Sequence, residues 1–229
     1  MSNLLIGATL VPFLISAAVA AEPTPITACH QQIVGGSGKL TVDLDCSATP
    51  LAIGVDVTKG KLYLNGHTIT GAEIGVACTE RCTIYGPGAI SGNGAGVNVY
   101  SSKPDAGKVT VADATIDGNA TLGIGADKIN VTRSAVSGNG GGGVFGGVKA
   151  TVRGSTVEGN STYGICSRGK IRLGDTTAQG NGSDPGCVPD SCGGCGDLVS
   201  PIKPRVNVRS TCDTSVDPPA ATWGLCSND

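Results

Sequence analysis

A Gly-Asn bend recurs along the chain as Ile90-Ser-Gly-Asn93, Ile116-Asp-Gly-Asn119, Val136-Ser-Gly-Asn139, Val157-Glu-Gly-Asn160 and Ala178-Gln-Gly-Asn181. Its asparagines are 26, 20, 21 and 21 residues apart. A fixed period near twenty, without a helical pattern, means that one supersecondary unit is stacked on copies of itself. The composition agrees: 37 glycines and 3% aromatic residues in 229 suit tight turns and thin strands better than bulky helices.

A second column keeps the same phase. Lys39, Lys61, Arg81, Lys108, Lys128, Lys149 and Lys170 each open a five-residue stretch of alternating character. The residue after each cation and the residue two further on are apolar or small, as in Val109 and Val111 or Ile129 and Val131, and point inward. Each unit therefore opens with a strand. Thr68-Ile-Thr, Thr115-Ile-Asp, Ala135-Val-Ser and Thr156-Val-Glu imply a second strand. Gly75-Val76, Gly96-Val97, Gly123-Ile124, Gly143-Val144 and Gly164-Ile165 imply a third. Hairpin turns are lacking, so each strand's partner lies one period away. The reading is an all-β, right-handed single-stranded parallel β-helix of about seven coils, each of ~21 residues. In that geometry equivalent asparagines sit ~4.8 Å apart and bond to one another as a ladder.

Coil 81–107 carries about six extra residues, placed at 100–107, and insertions in stacked repeats emerge as loops. Residues 21–38 are expected to cap the first coil, 39–181 to form the solenoid, and the Cys- and Pro-rich segment 182–229 to cap the last. Residues 4–20 form an uncharged apolar run ending in Ala18-Val-Ala20 and are read as a secretory signal peptide spanning 1–20. No later segment is apolar enough to span a bilayer. All ten cysteines lie beyond it: Cys29, Cys46, Cys78, Cys82, Cys166, Cys187, Cys192, Cys195, Cys212 and Cys226. An even number in an exported chain favours disulfides, and the expected pairs are Cys29 with Cys46, Cys78 with Cys82 and Cys212 with Cys226. Cys192-Gly-Gly-Cys195 lacks the second half of a zinc site. The expected place is secreted, periplasmic or at the cell surface, as a monomer. A net charge of −2 gives no global attraction to nucleic acid.

The chain resembles the right-handed parallel β-helix repeat proteins of the pectate-lyase-like superfamily. The resemblance rests on Asp43-Leu-Asp-Cys46, on Lys61-Leu-Tyr-Leu-Asn-Gly-His-Thr-Ile-Thr-Gly71, on the Gly-Asn coils, and on Cys212 and Trp223-Gly-Leu-Cys226. It implies the fold. It leaves the activity open, since this superfamily spans lyases, hydrolases, adhesins and sugar-binding proteins.

Lyases of this kind use carboxylates for calcium and a Lys or Arg as base. Asp113, Asp175, Arg133 and Arg153 are the candidates, with calcium as the implied cofactor, although alternating signs one coil apart also describe a salt-bridged surface. Asp117 and Glu158 share another column two coils, or ~9.6 Å, apart, near the upper limit for an inverting carboxylate pair. The basic column, with Lys108, Lys128, Lys149 and Lys170, suits an acidic polysaccharide or cell-surface glycan laid along the stack, and Tyr63 and Tyr85 beside it offer sugar-stacking faces. The leading expectation is a carbohydrate-binding protein with no catalytic centre. The alternatives are a lyase or glycoside hydrolase acting on a uronate polymer, and a structural or adhesive surface module.

Overall fold

A computed structural model describes residues 21–49, 51–182, 196–207, 209–217 and 221–226. The expected signal segment and Cys187, Cys192 and Cys195 lie outside the described residues. The described chain is an all-β parallel solenoid with three faces. Sheet I contains Thr24–Ile26, Ser37–Leu40, Lys61–Tyr63, Arg81–Tyr85, Lys108–Ala112, 128–132, 149–153, Lys170–Gly174 and Arg205–Val206. Sheet II contains Gln31–Val34, Ile53–Thr58, Ile74–Thr79, Ala95–Tyr100, 124–126, 144–146, Tyr163–Ser167, Gly196–Val199 and Ser215–Asp217. Sheet III has eight strands, from Leu44–Asp45 through Thr68–Thr70, Ala89–Ser91, Thr115–Asp117, Ala135–Ser137, Thr156–Glu158 and Thr177–Gln179 to Thr211–Cys212. Eight strands make seven coil-to-coil steps, matching the expected number.

The interior follows from the alternation. Ile69, Ile90, Ile116, Val136, Val157 and Ala178 stack beneath sheet III, and Val55, Val76, Val97, Ile124, Val144, Ile165 and Leu198 beneath sheet II, all fully buried. β-Branched side chains suit this pleated interior, and each large one contributes about 1.5–3 kcal/mol on burial. Glycines open the sheet II strands because the coil is pinched there: a Cβ on Gly96 would lie 2.5 Å from the Gly123 carbonyl oxygen and 3.0 Å from Asn119 Nδ2.

The asparagines form the expected ladder. Nδ2 of Asn93, Asn119, Asn139 and Asn160 donates to Oδ1 of the asparagine in the next coil at 3.1, 2.9, 2.8 and 2.8 Å. Each Oδ1 also accepts a backbone N–H from the preceding coil, as Asn139 Oδ1 does from Asn119 at 3.2 Å. The ladder ends on Asp197, whose Oδ1 accepts both Nδ2 and the backbone N–H of Asn181, while Oδ2 accepts the N–H groups of Asp213 and Thr214. Burial raises the Asp197 carboxyl above its usual range, and these hydrogen bonds oppose that shift. With Asn119, Asn139 and Asn160 fully buried, the row is structural and has no amide to present to a ligand.

The three expected disulfides, Cys29–Cys46, Cys78–Cys82 and Cys212–Cys226, are all formed. Cys166 is also disulfide-bonded. Residues 21–38 supply strands that pair in parallel with the next coil, so this segment already belongs to the stack. At the other end Gly196–Val199, Arg205–Val206 and Thr211–Cys212 add a further coil, and the Trp223 indole N–H donates to the Ser200 carbonyl.

Asn139→Ala removes the acceptor of two buried donors, the backbone N–H and Nδ2 of Asn119. It should cost about 2–4 kcal/mol of unfolding free energy. Asn130→Ala, at an outward half-buried position, should change stability by less than about 0.5 kcal/mol. Urea denaturation followed by circular dichroism distinguishes them, and equal midpoints would refute a stabilising ladder.

Candidate anion-binding face

The outward residues of the three sheets differ sharply in charge. The sheet I strands carry Lys39, Lys61, Arg81, Lys108, Lys128, Lys149, Arg153, Lys170, Arg172 and Arg205, and no Asp or Glu. The sheet II and III strands described above carry no Lys or Arg, while Asp45, Asp56, Asp117 and Glu158 lie outward on them. A chain whose formal charge is −2 therefore has one wholly basic face. Such a face raises the local concentration of anions regardless of the net charge.

Parallel register sets the spacing of this face. Arg81, Lys108, Lys128, Lys149 and Lys170 are direct partners in consecutive coils. The first two members of the expected column are displaced: Lys61 pairs with Thr83, and Lys39 with Tyr63. The cause is coil length, since Gly38 pairs with Leu62 and Leu62 with Ile84, steps of 24 and 22 residues instead of the 22 and 20 between the cations. Lys59, on the corner before sheet I with φ 54°, stands beside Arg81 in place of Lys61 and forms a 3.0 Å ion pair with Glu80.

The expected insertion lies against this face. Residues 101–107 separate Ala95–Tyr100 from Lys108–Ala112, and Asp127 Oδ2 holds the loop by accepting the Gly107 N–H at 2.8 Å. Between loop and sheet is a cavity of about 480 Å³ lined by Lys59, Glu80, Arg81, Lys103, Lys108 and Lys128. A second, of about 280 Å³, lies near the other end among Arg153, Arg172, Arg205 and Asn207. Thr83, Thr110 and Asn130 run in register beside the cations as half-buried hydroxyl and amide groups. Tyr63 and Tyr85 stack on each other with centroids 5.1 Å apart, so the ring faces they share are closed to a ligand.

The candidate catalytic residues do not converge. Arg133 grips Asp113 through Nε and Nη2, both at 2.7 Å, which holds the Asp113 carboxyl below the usual range and keeps Arg133 protonated. Asp175 pairs with Arg209 at 2.7 Å and with Asn207. Arg153 is one residue out of this row: it partners Thr132, and Gly154 occupies the place next to Arg133 on the left-handed corner. Asp117 and Glu158 share a column with Ser137 between them, on sheet III, two coils apart and away from the cations. His67 Nδ1 lies 3.2 Å from Asp43 Oδ1 at a corner. Among the described residues no three His, Cys, Asp or Glu side chains gather as a metal site.

The sequence reading missed Lys59, Lys103, Arg172 and Arg205 as members of the basic face. A strand-by-strand tally of charge sign would have found Arg172. Lys59 and Lys103 emerge only once corner and loop are placed. No helix among the described residues is long and apolar enough to cross a membrane. No family model, no curated protein and no solved structure matches the chain.

Because its folded pKa is depressed, Asp113 contributes stability that is present above its ordinary value of 3.8 and lost as pH falls through the folded value. Asp113→Asn should therefore flatten the dependence of the urea midpoint on pH below about 4, with little change in slope near pH 7. An unchanged acid limb would show that the pair adds no measurable stability.

Proposed function

We propose that this chain is an exported, non-catalytic binding protein for an acidic polysaccharide, with the polymer lying along sheet I parallel to the solenoid axis. The observation that carries the reading is the segregation of charge, ten cations and no acid on the strands of one flat face. From the Lys61 strand to the Arg205 strand the face spans six coil steps of ~4.8 Å, about 29 Å in all. It repeats one to two cations per coil in parallel register, which suits an extended polymer with regularly spaced carboxylates.

The parallel row of Thr83, Thr110 and Asn130 supplies partners for sugar hydroxyls, which a lipid surface would not use. Unpaired nucleic acid is bound by rows of exposed aromatic faces, and the described strands of sheet I carry just the one stacked pair, Tyr63 and Tyr85. Disulfides fit an oxidising, extracellular setting. The β-solenoid is compatible with descent from the pectate-lyase-like superfamily, with the groove used for binding rather than bond cleavage. Against cleavage stand the commitments of Asp113 to Arg133 and Asp175 to Arg209, which tie up the two acids expected to hold calcium.

The test is retention on immobilised polygalacturonate. The wild-type chain should be retained and should elute with rising salt, and a Lys108→Glu/Lys128→Glu/Lys149→Glu variant should flow through with its fold intact by circular dichroism. Equal retention of the two proteins would sink the proposal, as would unsaturated or reducing-end products formed by the wild-type chain during incubation.

A further inference from the structure

Within the basic face the two ends differ in chemistry. The end next to the insertion is mostly lysine, whereas the other gathers Arg153, Arg172 and Arg205 around a cavity of about 280 Å³. Arg172 and Arg205 are register partners in adjacent strands. Arg153 partners Gly174, two residues along the strand from Arg172, and its aliphatic stem lies 3.4 Å from where a Gly174 Cβ would stand. The three guanidinium groups thus come from the corners of a triangle. None of them is in an ion pair with a described residue, and the nearby Asp175 is engaged by Arg209 and Asn207.

Two further observations belong to the same cluster. Thr151 Oγ1 is buried and has no hydrogen-bond partner, although Arg172 is its register neighbour and Lys149 and Arg153 flank it on its own strand. A buried hydroxyl left unmet is unfavourable, and this one lies under the cations rather than in the cavity lining. Lys149 has a pKa lowered first by burial and then by the charges of Arg172 and Arg153, so cations are crowded here without a compensating acid.

We propose that Arg153, Arg172 and Arg205 form a discrete subsite for a tetrahedral oxyanion, an ester sulfate or phosphate carried on the polymer. Each guanidinium presents a planar fork of donors, and three forks around one point match three terminal oxygens better than the two of a carboxylate. The inference rests on the reading of sheet I as a polyanion-binding face and assigns that face a preferred substituent.

The experiment compares carboxymethyl dextran, dextran sulfate and dextran phosphate of matched length and charge density, with inorganic sulfate and phosphate as competitors. The wild-type chain should bind one or both tetrahedral-ester polymers at least tenfold more tightly than the carboxylated one. The better of the two, and the more effective inorganic competitor, identifies the ester. Arg153→Lys/Arg172→Lys/Arg205→Lys keeps every charge and removes the forks. It should lose the preference, its affinities for the three polymers falling within about twofold of one another. A wild-type chain that binds all three polymers equally, or a triple variant that keeps the preference, overturns the subsite and leaves the basic face standing. A wild-type chain that binds none of them overturns both.

Discussion

Coil-to-coil register is the constraint on which everything else in this molecule depends. A parallel strand displaced by one residue turns its inward set outward, so a solenoid with a dry interior has little freedom to slip. The asparagine ladder fixes that register at one corner by joining side-chain and backbone hydrogen bonds between the same pair of coils. The pinched glycine positions beside it admit no alternative packing, because a side chain there would strike the neighbouring backbone.

Once register is fixed, any residue type repeated at one position becomes a column, and a column of one charge becomes a surface. Sheet I gains its character in this way. Lysines that would be scattered singly on an ordinary domain stand one coil apart, and their mutual repulsion is tolerated because they are exposed to water and salt. The other two faces carry the acids, so near-neutrality of the whole conceals a strong division between faces.

The sequence made the repeat legible wherever one coil equals the next in length. From Arg81 onward the strand positions, the asparagine rungs and the basic column follow from counting, and the structure places them accordingly. Counting failed where a coil differs by a residue or two. Lys39 and Lys61 occur at a plausible interval, yet the first two coils measure 24 and 22 residues between register partners instead of 22 and 20, and the pattern of apolar residues is unchanged by a slip of two. Arg133 and Arg153 show the same limit: both follow a Thr or Val in similar sequences, but one sits on the corner and the other on the strand. The arginine cluster depends on proximity between separate coils and was invisible to any one-dimensional pattern.

The ladder also has a direction. Every asparagine receives from the coil before it and hands a hydrogen bond on to the coil after it, so any such rung can follow any other. Asp197 breaks this relay, because a carboxylate only receives, and it takes donors from both sides. It acts as a terminator. A duplicated asparagine coil can be spliced in anywhere upstream with its side chain satisfied, whereas a coil added beyond Asp197 has no rung to grow from, so the length of the run is set by where the acid falls in the chain.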